Sequence, residues 1–296
     1  MEALLNTEDV GRESVRIVNA LRRELDGVSA VIGLSGGLDS DVVARLTVEA
    51  VGAARVKLFT VLQEGMEDRH VRQARQTADD LGIPLRTVDL GGIPHGFVEA
   101  MSAADPDEAF QPDGLLDPAR AKCSLRTVIL STYQDRGYVV VGTSNRTEIE
   151  TGFFLPFGDG IWHFGPIAHL FKTEVVSLAH VAGTRQEVIL QPPSAGFWPG
   201  QEDLEDLAYW LHNGGPIGRQ RVFTEEDDAQ VQDIRAQLTL ERIDRALLAL
   251  AKGRSDAEAS AASALPLVLV ERLRLVREGA MRSKRRPMGC RLDLPR

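Results

Sequence analysis

The stretch Val31-Ile32-Gly33-Leu34-Ser35-Gly36-Gly37-Leu38-Asp39-Ser40-Asp41 decides how the chain is read. The mostly apolar run 28–34 has the character of a buried parallel strand. A serine and two glycines follow, and Val42, Val43, Leu46 and Ala50 then recur at helical spacing. A strand, a tight glycine turn and a helix start together aim several backbone N–H groups at one anion. Gly36 and Gly37 let the backbone approach phosphate oxygens with no Cβ in the way, and Ser35 and Ser40 add hydroxyl donors. Asp39 would repel a bare phosphate, so its presence is explained if Mg2+ stands between carboxylate and phosphate. The plain alternative is an ordinary strand-to-helix turn.

The Ser-Gly-Gly-x-Asp-Ser pattern of residues 35–40 resembles the signature of the ATP pyrophosphatases, which cleave ATP between the α- and β-phosphates. No lysine follows the glycines, so it is not the Gly-x-x-x-x-Gly-Lys loop.

Outward from this loop, apolar runs at 55–62, 85–90 and 138–142 predict further strands, with helices over 7–25, 67–81, 119–135 and 172–182. Strands alternating with helices argue for a doubly wound, Rossmann-like α/β fold of the adenine-nucleotide α-hydrolase type: a parallel sheet flanked by helices. Residues 91–118, rich in Gly, Pro and Asp, are expected to form a long loop with one short helix near 97–103. Residues 149–171 read as irregular, and 189–201 as a Pro/Gly loop. Residues 224–251 and 267–278 read as helical, with 255–264 a linker or weak helix. The expected organisation is an α/β domain over 1–216 and a helical C-terminal extension over 217–296 packing on it.

Composition narrows the function. The 296 residues carry a net charge of −9, which argues against a nucleic-acid partner. Two cysteines exclude a disulfide framework and a four-cysteine zinc site. No apolar run approaches the length of a membrane span, and the start lacks a signal-peptide pattern, so the expected location is cytoplasmic.

Five motifs in order resemble the NAD synthetase family. They are the signature loop, Gly142-Thr143-Ser144-Asn145-Arg146-Thr147-Glu148, the Gly152–Gly160 segment ending in Gly-Asp-Gly, the Pro166–Val175 segment with Lys172, and the Pro192–Gln201 segment. The resemblance implies an ATP-dependent, AMP-forming amide ligase. A carboxylate, most simply that of deamido-NAD, is adenylated with release of pyrophosphate, and ammonia then displaces AMP. It implies that Gly33, Ser35, Gly36, Gly37, Asp39, Ser40, Thr143, Lys172 and Ser194 bind ATP or its pyrophosphate. Asp39 and Lys172 would be catalytic, Asp39 and Glu148 would hold Mg2+, and Ser124, Pro156, Asp159, His163 and Lys284 would face the carboxylate substrate. Taken singly, Lys172 could be a surface lysine, Glu148 a loop cap and Ser194 a turn residue. The resemblance also implies a homodimer with the 119–135 helix at its interface. Free ammonia or a separate glutaminase would supply nitrogen.

Departures from the family pattern gather on the substrate side. Where the family has Lys-Ala-Arg, the chain has Lys122-Cys123-Ser124; Pro156 replaces a lysine, His163 an aspartate, and Ser283-Lys284 a His-Lys pair. Lost cations weaken the hold on a doubly charged dinucleotide by roughly 1.5–3 kcal/mol per charge-assisted hydrogen bond. A family member amidating a smaller acid, in a pocket built from Phe153, Phe154, Phe157, Trp162, His163 and Phe197, is therefore the second reading; those aromatics could equally be packing. A third is adenylation-dependent sulfur transfer through Cys123.

Overall fold

The computed structural model describes residues 7–62, 67–197, 199–215, 223–282 and 288–291. The chain opens with α1 (Thr7–Glu24), β1 (Ser29–Gly33), α2 (Leu38–Val51), β2 (Val56–Leu62), α3 (Asp68–Asp80) and β3 (Leu85–Asp89). Then come α4 (Ile93–Ala104), α5 (Leu116–Gln134), β4 (Tyr138–Val140), α6 (Arg146–Thr151) and β5 (Ile161–Gly165). Next are α7 (Lys172–Ala182), α8 (Gln186–Leu190), α9 (Asp203–Asn213), α10 (Glu225–Arg235) and α11 (Leu240–Ala251). The chain ends with α12 (Asp256–Ser263), α13 (Leu267–Arg282) and β6 (Met288–Arg291).

Four parallel strands pair in the order β3-β2-β1-β4. A bridge from Val141 to Phe164 and the Gly142 N–H to Phe164 carbonyl bond (2.8 Å) lead on to β5, which pairs in parallel with β6. The expected doubly wound sheet is therefore present. From β1 the chain steps one way to β2 and β3, and β4 lies on the other side of β1. That reversal opens a crevice at the carboxyl ends of β1 and β4, where such sheets take ligands.

The strands are buried on both faces: Val31, Ile32, Leu58 and Phe59 are almost fully enclosed. Helices α1, α2 and α7 close one face through Ile17, Leu21, Val42, Leu46, Val175 and Leu178. A second core joins α9, α10, α11 and α13 through Leu207, Val231, Ile243, Leu247, Val270 and Leu273, and takes in Phe171 from the end of the β5–α7 connection. Among the described residues no helix is long and apolar enough to cross a membrane.

Some sequence expectations change. Residues 91–118 are largely helical, because Pro94 and Pro118 sit in the first turns of α4 and α5, where a missing N–H does no harm. Proline there marked helix starts, not loop. Residues 149–171 contain β5. The 224–251 helix is two helices, divided where the Thr239 hydroxyl accepts the Arg242 N–H (3.2 Å) and caps α11. Residues 255–264 form α12, opened by a Ser255–Glu258 capping box.

Candidate active site

The crevice holds a cavity of about 970 Å³, floored by the signature loop. The loop hydroxyls first hold the loop itself. Ser40 Oγ donates to the Gly37 carbonyl (3.0 Å) and accepts the Ser35 N–H (3.2 Å), and Ser35 Oγ accepts the Gly37 N–H (3.2 Å). Gly36 has φ +83°, and a Cβ there would collide with the His70 carbonyl oxygen of α3. It packs against α3, whereas Gly33, Ser35, Gly37, Asp39 and Ser40 line the cavity. Helix α2 starts at Leu38, so its unpaired first-turn N–H groups and positive dipole end belong to the same loop.

The next segment arrives from the neighbouring strand. Gly142 lies against the Trp162 indole, a contact that leaves no room for a Cβ. Asn145 caps α6 with a capping box to Glu148, and its Nδ2 donates both to Glu148 Oε1 (2.8 Å) and to Asp39 Oδ1 (3.3 Å). One amide thus ties together two carboxylates that are 109 positions apart in sequence (148 − 39). Lys172, the first residue of α7, is buried and forms an ion pair with Asp39 Oδ2.

Electrostatics follow from this crowding. Burial pushes the Glu148 carboxyl well above its ordinary range, Asp39 adds to that, and Lys172 opposes it. Burial works against the Lys172 ammonium, but Asp39 and Glu148 outweigh it and hold its pKa above the usual lysine value. Two acceptor-only carboxylates held together by an amide fit a hard divalent cation that keeps waters and substrate phosphates as its other ligands. Among the described residues, no group of three or more His, Cys, Asp or Glu could hold a metal ion; Asp39 and Glu148 are the two carboxylates that Asn145 joins beside the loop.

Sequence reasoning missed Asp203, at the start of α9. Its carboxylate accepts the Ala195 N–H, its Oδ1 has no partner, and burial pushes its pKa up to about 6, with Lys172 opposing. The motif that ends at Gln201 stops two residues short of it, so no signal pointed there. Ser194, Asp203 and Asp206 line the cavity from the 191–206 segment. That segment is fastened over the signature loop by Gln191 Nε2 to the Gly36 carbonyl (3.3 Å) and by the Gly200 N–H to Glu67 Oε1 (2.8 Å).

On the substrate side, Thr143 and Asp159 line the cavity, Asp159 Oδ1 accepting the Leu155 N–H (2.8 Å). Ser124, Pro156 and His163 do not line it within this chain. Ser124 is exposed on α5, and exposed His163 accepts the Val140 N–H at Nδ1 (2.9 Å). Lys284 and Trp198 lie outside the described residues. The aromatics divide. Phe153, Phe154 and Phe197 line the cavity, Trp162 is core, and Phe157 is exposed. Helix α5 brings Lys122, the lysine kept from the family's Lys-Ala-Arg, to the cavity wall, together with Arg120 and Arg126, which the sequence reading did not single out. Cys123 is buried, and burial pushes its thiol up to about 11, so it stays protonated at neutral pH. Sulfur-transfer cysteines need a thiolate, which argues against that reading.

A family model described as NAD synthase matches residues 12–244. An NH3-dependent NAD+ synthetase of Methanosarcina acetivorans is 35% identical over 204 residues, spanning 67% of this chain and 77% of that protein. One from Methanocaldococcus jannaschii is 33% identical over 201 residues, spanning 68% and 76%. Among solved structures, NMN synthetase from Francisella tularensis superposes with a TM-score of 0.70 at 22% identity, covering 96% of this chain and 99% of that one. The NH3-dependent NAD synthetase of Campylobacter jejuni gives 0.66 at 17% identity, covering 95% and 99%. At those identities the two structures speak for the fold alone.

Proposed function

The chain belongs to the NAD synthase family of ATP-dependent ligases, and from that premise we propose that it converts deamido-NAD and ammonia to NAD, forming AMP and pyrophosphate. The observation that carries this reading is the Asp39–Asn145–Glu148–Lys172 constellation at the meeting of β1 and β4. In the first step a carboxylate oxygen of the acid attacks the α-phosphorus of ATP, and the bond to the β-phosphate oxygen breaks. In the second, the ammonia lone pair attacks the acyl carbon, the acyl–oxygen bond breaks with AMP leaving, and the nitrogen loses a proton. No side chain has to become a nucleophile, so the protein contributes position and charge.

Residues 35–40 are read as the pyrophosphate cradle, with Thr143 and Ser194 on the nucleotide. Lys172 neutralises phosphate charge as the adenylate forms. Mg2+ on Asp39 and Glu148 would supply further neutralisation of the phosphate oxygens. Arg120, Lys122 and Arg126 line the wall where a dianionic dinucleotide would lie, and Arg120 and Arg126 add cations beside those absent at Ser124 and Pro156. Asp159 faces the same space.

The same reading includes a homodimer in the cytoplasm, using free ammonia or a separate glutaminase. An apolar face supports the dimer: Phe97 of α4, Val128 of α5 and Phe157 are at least half exposed. The Thr127 hydroxyl donates to the Phe157 carbonyl (2.5 Å), which sets Phe157 beside α5. Light scattering on the purified protein tests this.

The deciding experiment is incubation with Mg-ATP, ammonium and deamido-NAD, following NAD and AMP together. Equimolar NAD and AMP, lost in Asp39→Ala, is the expected result. AMP and pyrophosphate formed only with shorter carboxylic acids would overturn deamido-NAD as the substrate and leave the ligase chemistry standing.

A further inference from the structure

Asp244 lies in α11, within the helical layer and away from every motif read in the sequence. It is fully enclosed, yet its carboxylate is not idle. Oδ1 accepts the Thr147 hydroxyl (2.6 Å), and Oδ2 accepts the Thr173 N–H (2.9 Å). The Thr147 oxygen in turn accepts the Lys172 N–H (2.9 Å). A single side chain therefore fastens the residue before Glu148 to the first turn of α7, whose first residue is Lys172.

A second tie reinforces the first. Arg277 of α13 forms an ion pair with Glu150, which also pairs with Arg146 (3.3 Å). The helical layer thus grips α6 on both sides of Glu148, at Thr147 and at Glu150. Phe171, which precedes Lys172, is itself buried in the helical core, with the Arg146 guanidinium over its ring at 4.3 Å. The first turn of α7 is consequently filled by protein groups: the Phe171 N–H by Glu174 Oε2 (2.8 Å), the Lys172 N–H by Thr147 and the Thr173 N–H by Asp244.

We propose that Asp244 is a positioning residue of the ligase site, fixing from the helical layer the spacing between Glu148 and Lys172. The inference rests on the reading of those two residues as the charge-handling pair. The C-terminal helices are then part of the catalytic apparatus. Catalysis that works by position is sensitive to small shifts, and a displacement near 1 Å costs up to about 100-fold in rate.

The test compares Asp244→Ala, Asp244→Asn and Thr147→Val with Asp256→Asn. The last loosens an ion pair that joins α12 to Arg274 of α13 inside the same helical layer and touches neither Thr147 nor Thr173. Two readouts are taken: kcat against KM for ATP, and amide hydrogen exchange in peptides spanning 145–151 and 170–176. Asp244→Ala and Thr147→Val are expected to lower kcat about 10- to 100-fold with little change in KM. They should raise exchange about 10-fold in those two peptides only, with Asp244→Asn intermediate and Asp256→Asn silent in both. Exchange that rises evenly through the helical layer, or stays unchanged at the two peptides, overturns the proposal. If Asp244→Ala does not fold, Thr147→Val alone decides. A wild-type protein that makes no NAD refutes the substrate assignment, while the exchange measurement, which needs no substrate, still decides the role of Asp244.

Discussion

Lys172 and Asp39, 133 positions apart, form an ion pair on the cavity floor with Glu148 held beside them by Asn145. Removing Lys172 leaves two neighbouring carboxylates without their protein cation. Lys172→Met is expected to lower kcat by about 10²–10³, the size of loss seen when one oriented charge-stabilising group is removed. Stability should also fall, by about 3–5 kcal/mol, because removing one partner of a buried ion pair leaves the other charge uncompensated, so the loss of rate is read on protein shown to be folded. Pyrophosphate release under saturating ATP, with circular dichroism as the fold control, checks this. Unchanged turnover would remove Lys172 from the chemistry.

Gly36 and Gly52 separate two reasons for a glycine. Both have positive φ, +83° and +81°. A Cβ on Gly52 would meet nothing within 4 Å, whereas on Gly36 it would strike the His70 backbone. Gly52→Ala should therefore cost only the backbone strain of a region that glycine alone enters readily (φ +81°, ψ 151°), about 1–3 kcal/mol, with activity intact. Gly36→Ala must also push α3 from the signature loop, so a larger loss and weakened Mg-ATP binding are expected. Urea denaturation and calorimetric ATP titration of the two variants distinguish the cases. Equal effects would mean that the close approach to α3 is unimportant.

Asp41, two residues beyond Asp39, carries a different load. Its carboxylate accepts from Thr77 of α3 (2.6 Å), from Thr184 after α7 (2.5 Å) and from Arg45 (2.8 Å). Arg45 continues to Asp80 (2.9 Å), which Arg185 also binds, and those cations hold the Asp80 carboxyl at about 2. Asp41→Ala strands two hydroxyls and a largely buried guanidinium, and breaking such a network costs about 3–5 kcal/mol. Thr184→Val should cost roughly 1–2 kcal/mol. Denaturation midpoints measure both, and a loss under 1 kcal/mol for Asp41→Ala would mean that water replaces these bonds.

What was legible in the sequence was local. The β1 run, the signature turn and the Gly142–Glu148 segment each carry their chemistry in adjacent residues, so the fold class followed from the order of elements, and the resemblance of the ordered motifs pointed to Asp39, Glu148 and Lys172, which the structure brings together. Asp203, Asp244 and Arg277 carry no such signal. Each reaches the site through tertiary packing of a helix whose own pattern says only that one face is apolar. The prolines at 94 and 118 misled for a physical reason, since a residue that breaks a helix interior is welcome in its first turn. Two cations of α5 were overlooked because a motif comparison asks which residue is missing at one position. Arg120 and Arg126 instead reach the cavity from neighbouring positions of the same helix, beside Lys122.

Lys122 gives the sharpest dependence on pH. It is almost fully buried, with its ammonium 5.4 Å from the centre of the Phe197 ring. Burial, helped by the Arg126 charge, lowers its pKa from 10.5 to about 7. The folded state therefore binds this proton less tightly than the unfolded chain. Below pH 7 the amine is charged in both states and the full burial penalty is present. Between about 7 and 10.5 the folded protein holds the neutral amine while the unfolded chain is still protonated, so this contribution to stability rises with pH and levels off near 10.5. Lys122→Met removes the penalty. It should stabilise the protein by about 2–4 kcal/mol at pH 6.5, with the gain shrinking toward pH 10. If Lys122 also meets an anionic substrate, the same variant raises KM for that acid most at the low end of this range, where the wild-type amine is charged. Denaturation at pH 6.5 and 9.5, with KM measured at both, tests the two statements separately. A destabilised Lys122→Met at pH 6.5 would show that the amine is satisfied where it stands and is no liability to the fold.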